Sequence, residues 1–307
     1  MHVSDRHTSA YIAAILNALI IGCSFLFVKI ALQSANPFDI LAHRFTLSFA
    51  AVSIPVLFGW IKLSISLKDV LSILPLALLY PALFFSFQAF GLVYSSSSEA
   101  GIIQAAIPIF TMVFAAYFLK ERPSRAQKGF TCLSVAGVIV IFAMKGVQVE
   151  SASLKGSVLI LLSALSSAAY NTAARKMTQR FRLMELTYLM SAIGFLTFNG
   201  IALIQHGAAG TISQYFAPFR ETDFIFSMIY LGILSSLVTS YLSNYALSQI
   251  EAFKMSAFNN LSTLVTMLAG VAVLHETLAF YHVIGALCII IGVLGSNAAI
   301  RKRKGQR

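Results

Sequence analysis

Long apolar stretches separated by short polar segments run the length of the chain. Six of them contain no Asp, Glu, Lys or Arg, namely 8–28, 70–98, 100–119, 224–250, 255–274 and 277–300. Four further candidates lie at 45–61, 129–144, 156–174 and within 186–205. Because about 20 apolar residues at a rise of about 1.5 Å cross a hydrocarbon core of about 30 Å, this pattern predicts about ten membrane spans.

The predicted spans are expected to be helices. In lipid every backbone N–H and C=O group needs an internal partner, and the strands of a membrane barrel would be about ten residues long with alternating polarity. Charged residues make up 11% of the chain and mean hydropathy is +0.82, whereas soluble proteins carry about 25% charged residues. The sequence therefore predicts an all-α membrane protein with ten transmembrane helices and no cleaved signal peptide.

The basic residues indicate the orientation of the chain. With the N-terminus inside, 17 of the 22 Lys and Arg residues fall in inside segments and five fall outside. The net charge of +11 therefore follows the positive-inside rule, which places both termini in the cytoplasm, and nucleic acid is not an expected partner. The terminal RKRKGQR is interpreted as a topology anchor near anionic lipid.

The second half of the chain repeats the first. A shift of 155 positions aligns TMVFAAYFLKE with TMLAGVAVLHE, with identities at Thr111/Thr266, Met112/Met267, Leu119/Leu274 and Glu121/Glu276. A slightly smaller shift places Lys29 over Lys176. The chain is therefore predicted to contain two five-helix repeats, residues 1–147 and 148–307.

Two repeats with an odd number of spans must enter the membrane from opposite sides. The charges agree, because LKERPSRAQK at 119–128 is basic while its counterpart LHETLAFYHV at 274–283 has no Lys or Arg. Inverted repeats are the construction of secondary transporters, in which two similar halves expose a midplane site alternately to each side. The alternative is a duplicated scaffold without a transport role.

Several segments resemble the EamA-type carriers of the drug/metabolite transporter superfamily. The first repeat has IGCSFLFVK at 21–29, HRF at 43–45 and LVYSSSSEAGIIQAAIPIFTMVFAAYFLKE at 92–121; the second has ALSSAAYNTAARK at 164–176 and LHETLAFYHVIGALCIIIGV at 274–293. Ile21 stands where the family often has Trp, and Thr263 where Pro108 would repeat. The resemblance, which covers nearly the full length, implies export of amino acids or related compounds across the cell membrane.

Polar residues inside the predicted spans are the candidates for a substrate cavity. Gln104 and Thr111 share one helix face, and Asn259 and Thr266 occupy the corresponding face 155 positions later. The full set of candidates is Asn17, Ser24, Gln88, Gln104, Thr111, Tyr170, Asn171, Tyr241, Asn244, Asn259, Asn260 and Thr266. The alternative is that these side chains form hydrogen bonds between packed helices.

Ionisable residues offer a second set of candidates. Arg44, beside His43, could anchor a carboxylate or phosphate of the substrate, since a guanidinium binds such groups bidentately; alternatively it is an ion-paired residue at the membrane interface. Glu121 and its counterpart Glu276 each follow a span, and we interpret both as structural.

All eleven Asp and Glu residues lie at or beyond predicted span ends, so the sequence offers no mid-membrane proton carrier. Facilitated diffusion or exchange needs the fewest assumptions, while coupling through Glu99 or His43 stays open.

Other function classes have less support. H-E-x-x-H, G-x-S-x-G and P-loop motifs are missing, so neither an enzyme nor a cofactor is expected. Cys23, Cys132 and Cys288 lie in different predicted spans and are expected to be apolar core residues rather than metal ligands or disulfides. A lipid or polyprenyl-carrier translocase on the same fold is the alternative to a metabolite exporter. The expected partners are a small-molecule substrate and the lipid bilayer, with a homodimer left open.

Overall fold

A computed structural model describes residues 3–95, 97–144, 151–274 and 280–298; most of these residues are helical, and none of them forms a strand. The α-helices of this described part are α1 Val3–Ala31, α2 Pro37–Leu57, α3 Leu67–Ala77, α4 Phe84–Tyr94, α5 Ser97–Gln104, α6 Ile107–Phe118, α7 Arg125–Met144, α8 Ser151–Met177, α9 Leu183–Ala209, α10 Thr222–Ile229, α11 Thr239–Gln249, α12 Ala252–Ala257, α13 Asn259–Leu274 and α14 Phe280–Ala298. Glu276 and RKRKGQR lie outside the described residues.

Six helical segments of the described chain are long and apolar enough to cross a membrane. They are Thr8–Ala31, Pro37–Leu57, Leu67–Tyr94, Leu154–Met177, Leu183–Ala209 and Thr222–Gln249. Shorter apolar helices lie at Ile107–Phe118 and Val283–Ser296. Large apolar side chains such as Leu57, Phe118 and Leu196 are exposed on the outside of the bundle, as lipid contact requires. The prediction of a helical membrane protein is confirmed.

Local sequence explains several helix ends. Pro37 lies in the first turn of α2, where the Asn36 side-chain oxygen accepts hydrogen bonds from the amides of Phe38 and Asp39. Ser66 and Asp69 form a capping box at the start of α3. Helix α9 ends at Gly210, whose φ of 66° is accessible to glycine at low cost.

Four of the predicted spans are not continuous α-helices. A π-helical segment, Leu78–Leu83, joins α3 to α4 and contains a cis Tyr80–Pro81 bond, and a second one, Tyr230–Val238, joins α10 to α11. The stretches 100–119 and 255–274 are interrupted between α5 and α6 and between α12 and α13. Pro108 was expected inside a span, but it lies in the first turn of α6, where its missing N–H costs no helical hydrogen bond.

The helices of one half pack against those of the other in a reciprocal pattern. Helix α1 contacts α11 and α13, while its counterpart α8 contacts α4 and α6. Helix α2 packs on α9 and α7 packs on α14, which pairs equivalent helices with each other. At the α7–α14 crossing a Cβ added to Gly137 would lie 2.7 Å from the Cβ of Cys288, so the helices approach closely because the residue is glycine.

The three cysteines are free. The expectation that all three are core residues is wrong for Cys132, which is exposed on α7, while Cys23 and Cys288 are partly exposed. A small apolar side chain can face outward here because the surroundings of the bundle are apolar too.

Candidate functional site: a polar cavity between the two halves

A cavity of about 40 Å³ lies between helices of both halves. Its side-chain amides come from Asn17 on α1, Gln104 on α5, Asn171 on α8 and Asn259 on α13. Hydroxyl groups come from Ser167, Ser243, Ser262, Thr263 and Thr266. The lining side chains among the described residues are all uncharged. Such a surface offers hydrogen-bond donors and acceptors without a fixed charge.

Six of the twelve predicted cavity residues line this space. They are Asn17, Gln104, Tyr170, Asn171, Asn259 and Thr266. Gln104 is the last residue of α5 and Asn259 the first of α13, so each amide lies beside a break between two short helices. The predicted correspondence by 155 positions therefore brings together two equivalent amides from opposite halves.

The other six predicted residues do not line the cavity. Ser24 donates to the carbonyl oxygen of Ile21 at 2.7 Å. Asn260 donates to Ser134 on α7 at 2.8 Å, because adjacent helical residues differ in direction by about 100° and Asn259 already faces the cavity.

Of the remaining four, Gln88 and Thr111 are buried, and the hydroxyl of Thr111 has no hydrogen-bond partner within the described part of the chain. Tyr241 is exposed, and Asn244 lies behind Tyr170.

An aromatic wall closes part of the cavity. The rings of Tyr80 and Tyr170 stack with their centroids 4.7 Å apart, and the hydroxyl of Tyr170 donates to Asn244 at 2.7 Å. Phe25 and Phe84 also line the space. The sequence analysis missed Tyr80, although the adjacent Pro81 in the middle of an apolar stretch signals the irregular backbone that turns this ring inward.

Some polar groups at the cavity are incompletely satisfied. Asn17 is buried, and its side-chain oxygen has no hydrogen-bond partner among the residues that the structure covers. Gln104 reaches Ser163 at 3.5 Å, which is the long limit for a hydrogen bond. These amides can therefore hydrogen-bond a bound solute without first losing a strong protein partner.

Arg44 lies one layer behind the cavity wall. Its guanidinium donates to the hydroxyls of Ser235 and Ser236 and to the carbonyl oxygen of Ser235, at 2.6–3.0 Å. The guanidinium carbon also lies 4.0 Å from the ring centroid of Phe85. None of these partners is a carboxylate, so the buried positive charge is compensated by dipoles and a ring face. Arg44 does not line the cavity in this conformation, and neither does His43.

His43 belongs to a polar cluster at one end of α2. Its Nε2 lies 2.9 Å from the carbonyl oxygen of Tyr215, in the loop between α9 and α10. Burial, reinforced by the carboxylate of Asp39, raises the pKa of Tyr215 to about 12, so its phenol stays protonated and donates to Asn199 at 2.8 Å. His206 Nε2 lies 3.0 Å from the carboxylate of Asp39. This cluster holds the loop against the helix ends. The side chain of Glu99 lies outside the described residues.

Metal chemistry has no visible basis in this part of the molecule. No group of three or more His, Cys, Asp or Glu side chains that could hold a metal ion occurs among the described residues.

Comparisons with known proteins identify the family of this chain. The model of the EamA-like transporter family matches residues 8–143 and again residues 154–298. The uncharacterized transporter YcxC of Bacillus subtilis (strain 168) is 75% identical over 301 residues, covering 98% of this chain and 96% of that protein. A probable amino-acid metabolite efflux pump of Salmonella typhimurium is 25% identical over 303 residues, covering 96% of each.

A solved crystal structure covers 94% of this chain and 98% of its own with a TM-score of 0.75 at 16% identity, which supports the fold. The relatives indicate a transporter rather than an enzyme. Because the family model matches most of the chain, the protein belongs to the EamA-like transporter family of the drug/metabolite transporter superfamily.

Proposed function

We propose that this protein is a secondary transporter that moves a small polar or amphipathic metabolite, such as an amino acid or a related compound, out of the cell across the cytoplasmic membrane. Transport proceeds by alternating access to the cavity between the two halves. The relative named a probable amino-acid metabolite efflux pump, at 25% identity, supports this substrate class and direction.

The proposed architecture is ten transmembrane helices in two inverted five-helix repeats, 1–147 and 148–307, with both termini in the cytoplasm. The reciprocal packing of α1 and α8 supports it, because two repeats related by a two-fold axis exchange their partners in this way. The two separate matches of the family model support the repeat. The distribution of Lys and Arg supports the orientation.

The observation that carries the proposal is the pair of amides at equivalent positions. Gln104 and Asn259 come from opposite halves, both lie beside helix breaks, and both line one cavity. Interrupted helices at the interface of inverted repeats are typical of substrate sites in transporters. A rocking motion of the two halves would open the cavity to one side of the membrane and then to the other, while both amides continue to line it.

The charges near the cavity favour a substrate that carries an anionic group. The lining formed by the described residues is uncharged, but the guanidinium of Arg44 is buried close behind it and donates to serine oxygens rather than to a carboxylate of the described chain. A positive charge in a low-dielectric region acts over several ångströms and favours an anionic group on the solute. We therefore place a solute carboxylate on the side of the cavity nearest Arg44, with the rest of the solute against the rings of Tyr80 and Tyr170.

The test compares extracellular metabolites from cells that lack the protein, overproduce it, or overproduce Asn259→Ala or Gln104→Ala at equal membrane abundance. Gln205→Ala is the matched control, because it removes an exposed amide on α9 that does not line the cavity. We expect a metabolite enriched outside with the intact protein and with the control, and a loss of this enrichment in both cavity variants.

Normal export by both cavity variants would contradict the assignment of the site. The absence of any enriched metabolite would contradict export and turn the interpretation toward uptake or lipid translocation.

A further inference from the structure

A glutamate outside the apolar spans links the two halves next to the cavity. Glu121 lies in the loop between α6 and α7, and its carboxylate accepts a hydrogen bond from the backbone amide of Ala252 at 3.1 Å. Ala252 begins the short helix α12, which also carries the cavity-lining Met255. The contact therefore joins a loop of the first half to the helix of the second half that forms part of the cavity wall.

The backbone of this loop is held in an uncommon conformation. Lys120, directly before Glu121, has a φ of 55°, a region that residues other than glycine rarely adopt. The amide of Glu121 donates to the carbonyl oxygen of Ala115 at 3.1 Å. The side chains of Lys120 and Arg122 are exposed, while Glu121 turns inward. This geometry directs one carboxylate of a strongly basic loop into the protein.

One oxygen of the Glu121 carboxylate lacks a hydrogen-bond donor. Its Oε2 atom is buried and has no partner in the described part of the protein. Burial raises the pKa of Glu121 above its usual value, and the negative charge of Glu251 adds to the rise, while the backbone amides of Ala252 and Phe253 and the charge of Arg175 oppose it. A buried carboxylate oxygen without a donor is costly, and a proton on that oxygen removes the charge.

The ionisable groups around Glu121 come from few elements. Glu251 precedes α12 and is ion-paired with Lys254 within it, and Arg175 approaches from α8. Tyr11 of α1 is near Glu251. Helices α6, α11 and α13 contain no Asp, Glu, Lys, Arg or His. Helix α14 contains one histidine, His282, in its first turn. The opposite end of α14 contacts α7 through the carbonyl oxygen of Ser296. Among the residues that the structure describes, Arg175 is the positive charge whose field opposes protonation of Glu121.

We propose that Glu121 is a proton-binding site of the transporter, which holds a proton while the helices close this end of the cavity and releases it when they open. The inference rests on the proposed alternating access, and it adds a proton to the cycle. When α12 and the loop separate, water reaches the carboxylate and removes the cost of its charge. Closing this end of the cavity and binding the proton therefore favour each other.

The sign of the pH dependence follows from the raised pKa. The closed conformation binds the proton more tightly than the open one, so lowering the pH favours closure. This preference is complete below the pKa of a hydrated glutamate, about 4.3, and is lost as the pH rises through the raised pKa of the closed form. Because a difference of one pKa unit is a factor of about ten between the two conformations, the effect is measurable.

A substrate is not needed for the test. Met255→Cys, in a chain whose three native cysteines are replaced by Ala, reports access to the cavity wall through its reaction with a membrane-impermeant maleimide. Labelling is measured in inside-out vesicles from about pH 8 to about pH 5 and is divided by the labelling of the SDS-denatured protein at the same pH. The same series is recorded with Glu121→Gln, which has a neutral side chain at every pH.

We expect labelling of the Glu121 protein to fall as the pH falls and to approach, at the acidic end, the low and pH-independent level of Glu121→Gln. The thiol and the reagent are the same in both series. The pH dependence of their reaction therefore cancels when the labelling of the native protein is divided by that of the denatured protein. Arg122→Gln is the control for a change of charge in the same loop, and it should keep the pH dependence. Identical pH profiles with and without Glu121 would overturn the proposal.

A second variant covers a failure of Glu121→Gln to insert. Glu121→Asp keeps a titrating group on a shorter side chain, so the midpoint of its labelling profile must differ from that of the Glu121 protein. An unchanged midpoint would also reject the proposal. The metabolite test above depends on Asn259 and Gln104 rather than Glu121, so failure of the proposed transport function is distinguishable from failure of the proton site.

Discussion

The contact between α1 and α13 depends on a glycine, and its replacement gives a quantitative prediction. A Cβ added at Gly22 would lie 2.5 Å from the Cβ of Val265 and 2.6 Å from the carbonyl oxygen of Ser262. Carbon atoms pack at about 3.5–4.0 Å, so Gly22→Ala requires the two helices to move apart by about 1 Å. The same displacement would lengthen the hydrogen bond from Thr266 to the carbonyl oxygen of Gly22, now 2.7 Å.

Two opposing effects determine the size of the change. Overpacking costs about 1–3 kcal/mol, while replacing glycine by alanine inside a helix gains up to about 1 kcal/mol. We therefore expect Gly22→Ala to lower the free energy of unfolding by about 1–2 kcal/mol. Gly200→Ala in α9 is the matched control, because no atom lies within 4 Å of the added Cβ, and it should be neutral or stabilising.

The assay is the thermal unfolding midpoint of the purified proteins in the same detergent. A loss of 1 kcal/mol corresponds to a decrease of about 2–4 °C for a chain somewhat shorter than this one. Gly22→Ala should therefore unfold several degrees below Gly200→Ala. Equal midpoints for the two alanine variants would show that α1 and α13 adjust without cost, and the argument from close approach would be refuted.

Three further changes are testable with the same proteins. Tyr170→Phe removes the donor to the buried oxygen of Asn244 and should cost about 1 kcal/mol in the thermal assay, whereas an unchanged midpoint would show that this hydrogen bond is unimportant. Arg44→Gln should abolish export of metabolites that carry an anionic group but retain that of uncharged ones, and loss of both would contradict a role in charge selection. Replacing Asp39 and His206 by Ala singly and together should reveal a coupling of about 0.5–3 kcal/mol, and strictly additive losses would contradict an energetic link between them.

The long apolar stretches of the sequence predicted much of the helical fold. Apolar length alone located the helices, and the internal repeat predicted that Gln104 and Asn259 occupy equivalent positions, which the structure places in one cavity lining. Both predictions depend on features that extend over many residues, namely the hydropathy of whole segments and the alignment of one half of the chain with the other.

The sequence could not predict the direction of each side chain across an interrupted helix. A helical wheel assumes one continuous helix, but the chain breaks after Gln104, so Thr111 no longer shares the phase of that residue. Asn260 differs from Asn259 by one position and contacts α7 instead of the cavity. Tyr80 lines the cavity because its backbone is not helical at the residue before Pro81. The pattern of apolar residues does not indicate this local change in the backbone.

The correspondence between the halves extends to contacts that the sequence repeat did not suggest. Lys29 donates to the carbonyl oxygen of Leu92 near the end of α4, and Arg175 donates to the carbonyl oxygen of Leu247 near the end of α11. Leu247 lies 155 positions after Leu92, so the two acceptors are equivalent in the repeat. Each contact lies within one half and satisfies a carbonyl that the helix leaves without a partner.

The helix ends that follow are also alike. Ser95 and Ile250 both have extended backbone, with φ and ψ of −125° and 156° in the first and −117° and 159° in the second.

Because the contacts of Lys29 and Arg175 lie inside the halves, a rotation of one half against the other leaves these contacts unchanged. The cavity, by contrast, is built from side chains of both halves, and the hydrogen bond that the amide of Ala252 donates to Glu121 crosses between them. We therefore expect transport to proceed by movement between two halves that keep their internal contacts, with the Glu121 contact among those that break when the cavity opens.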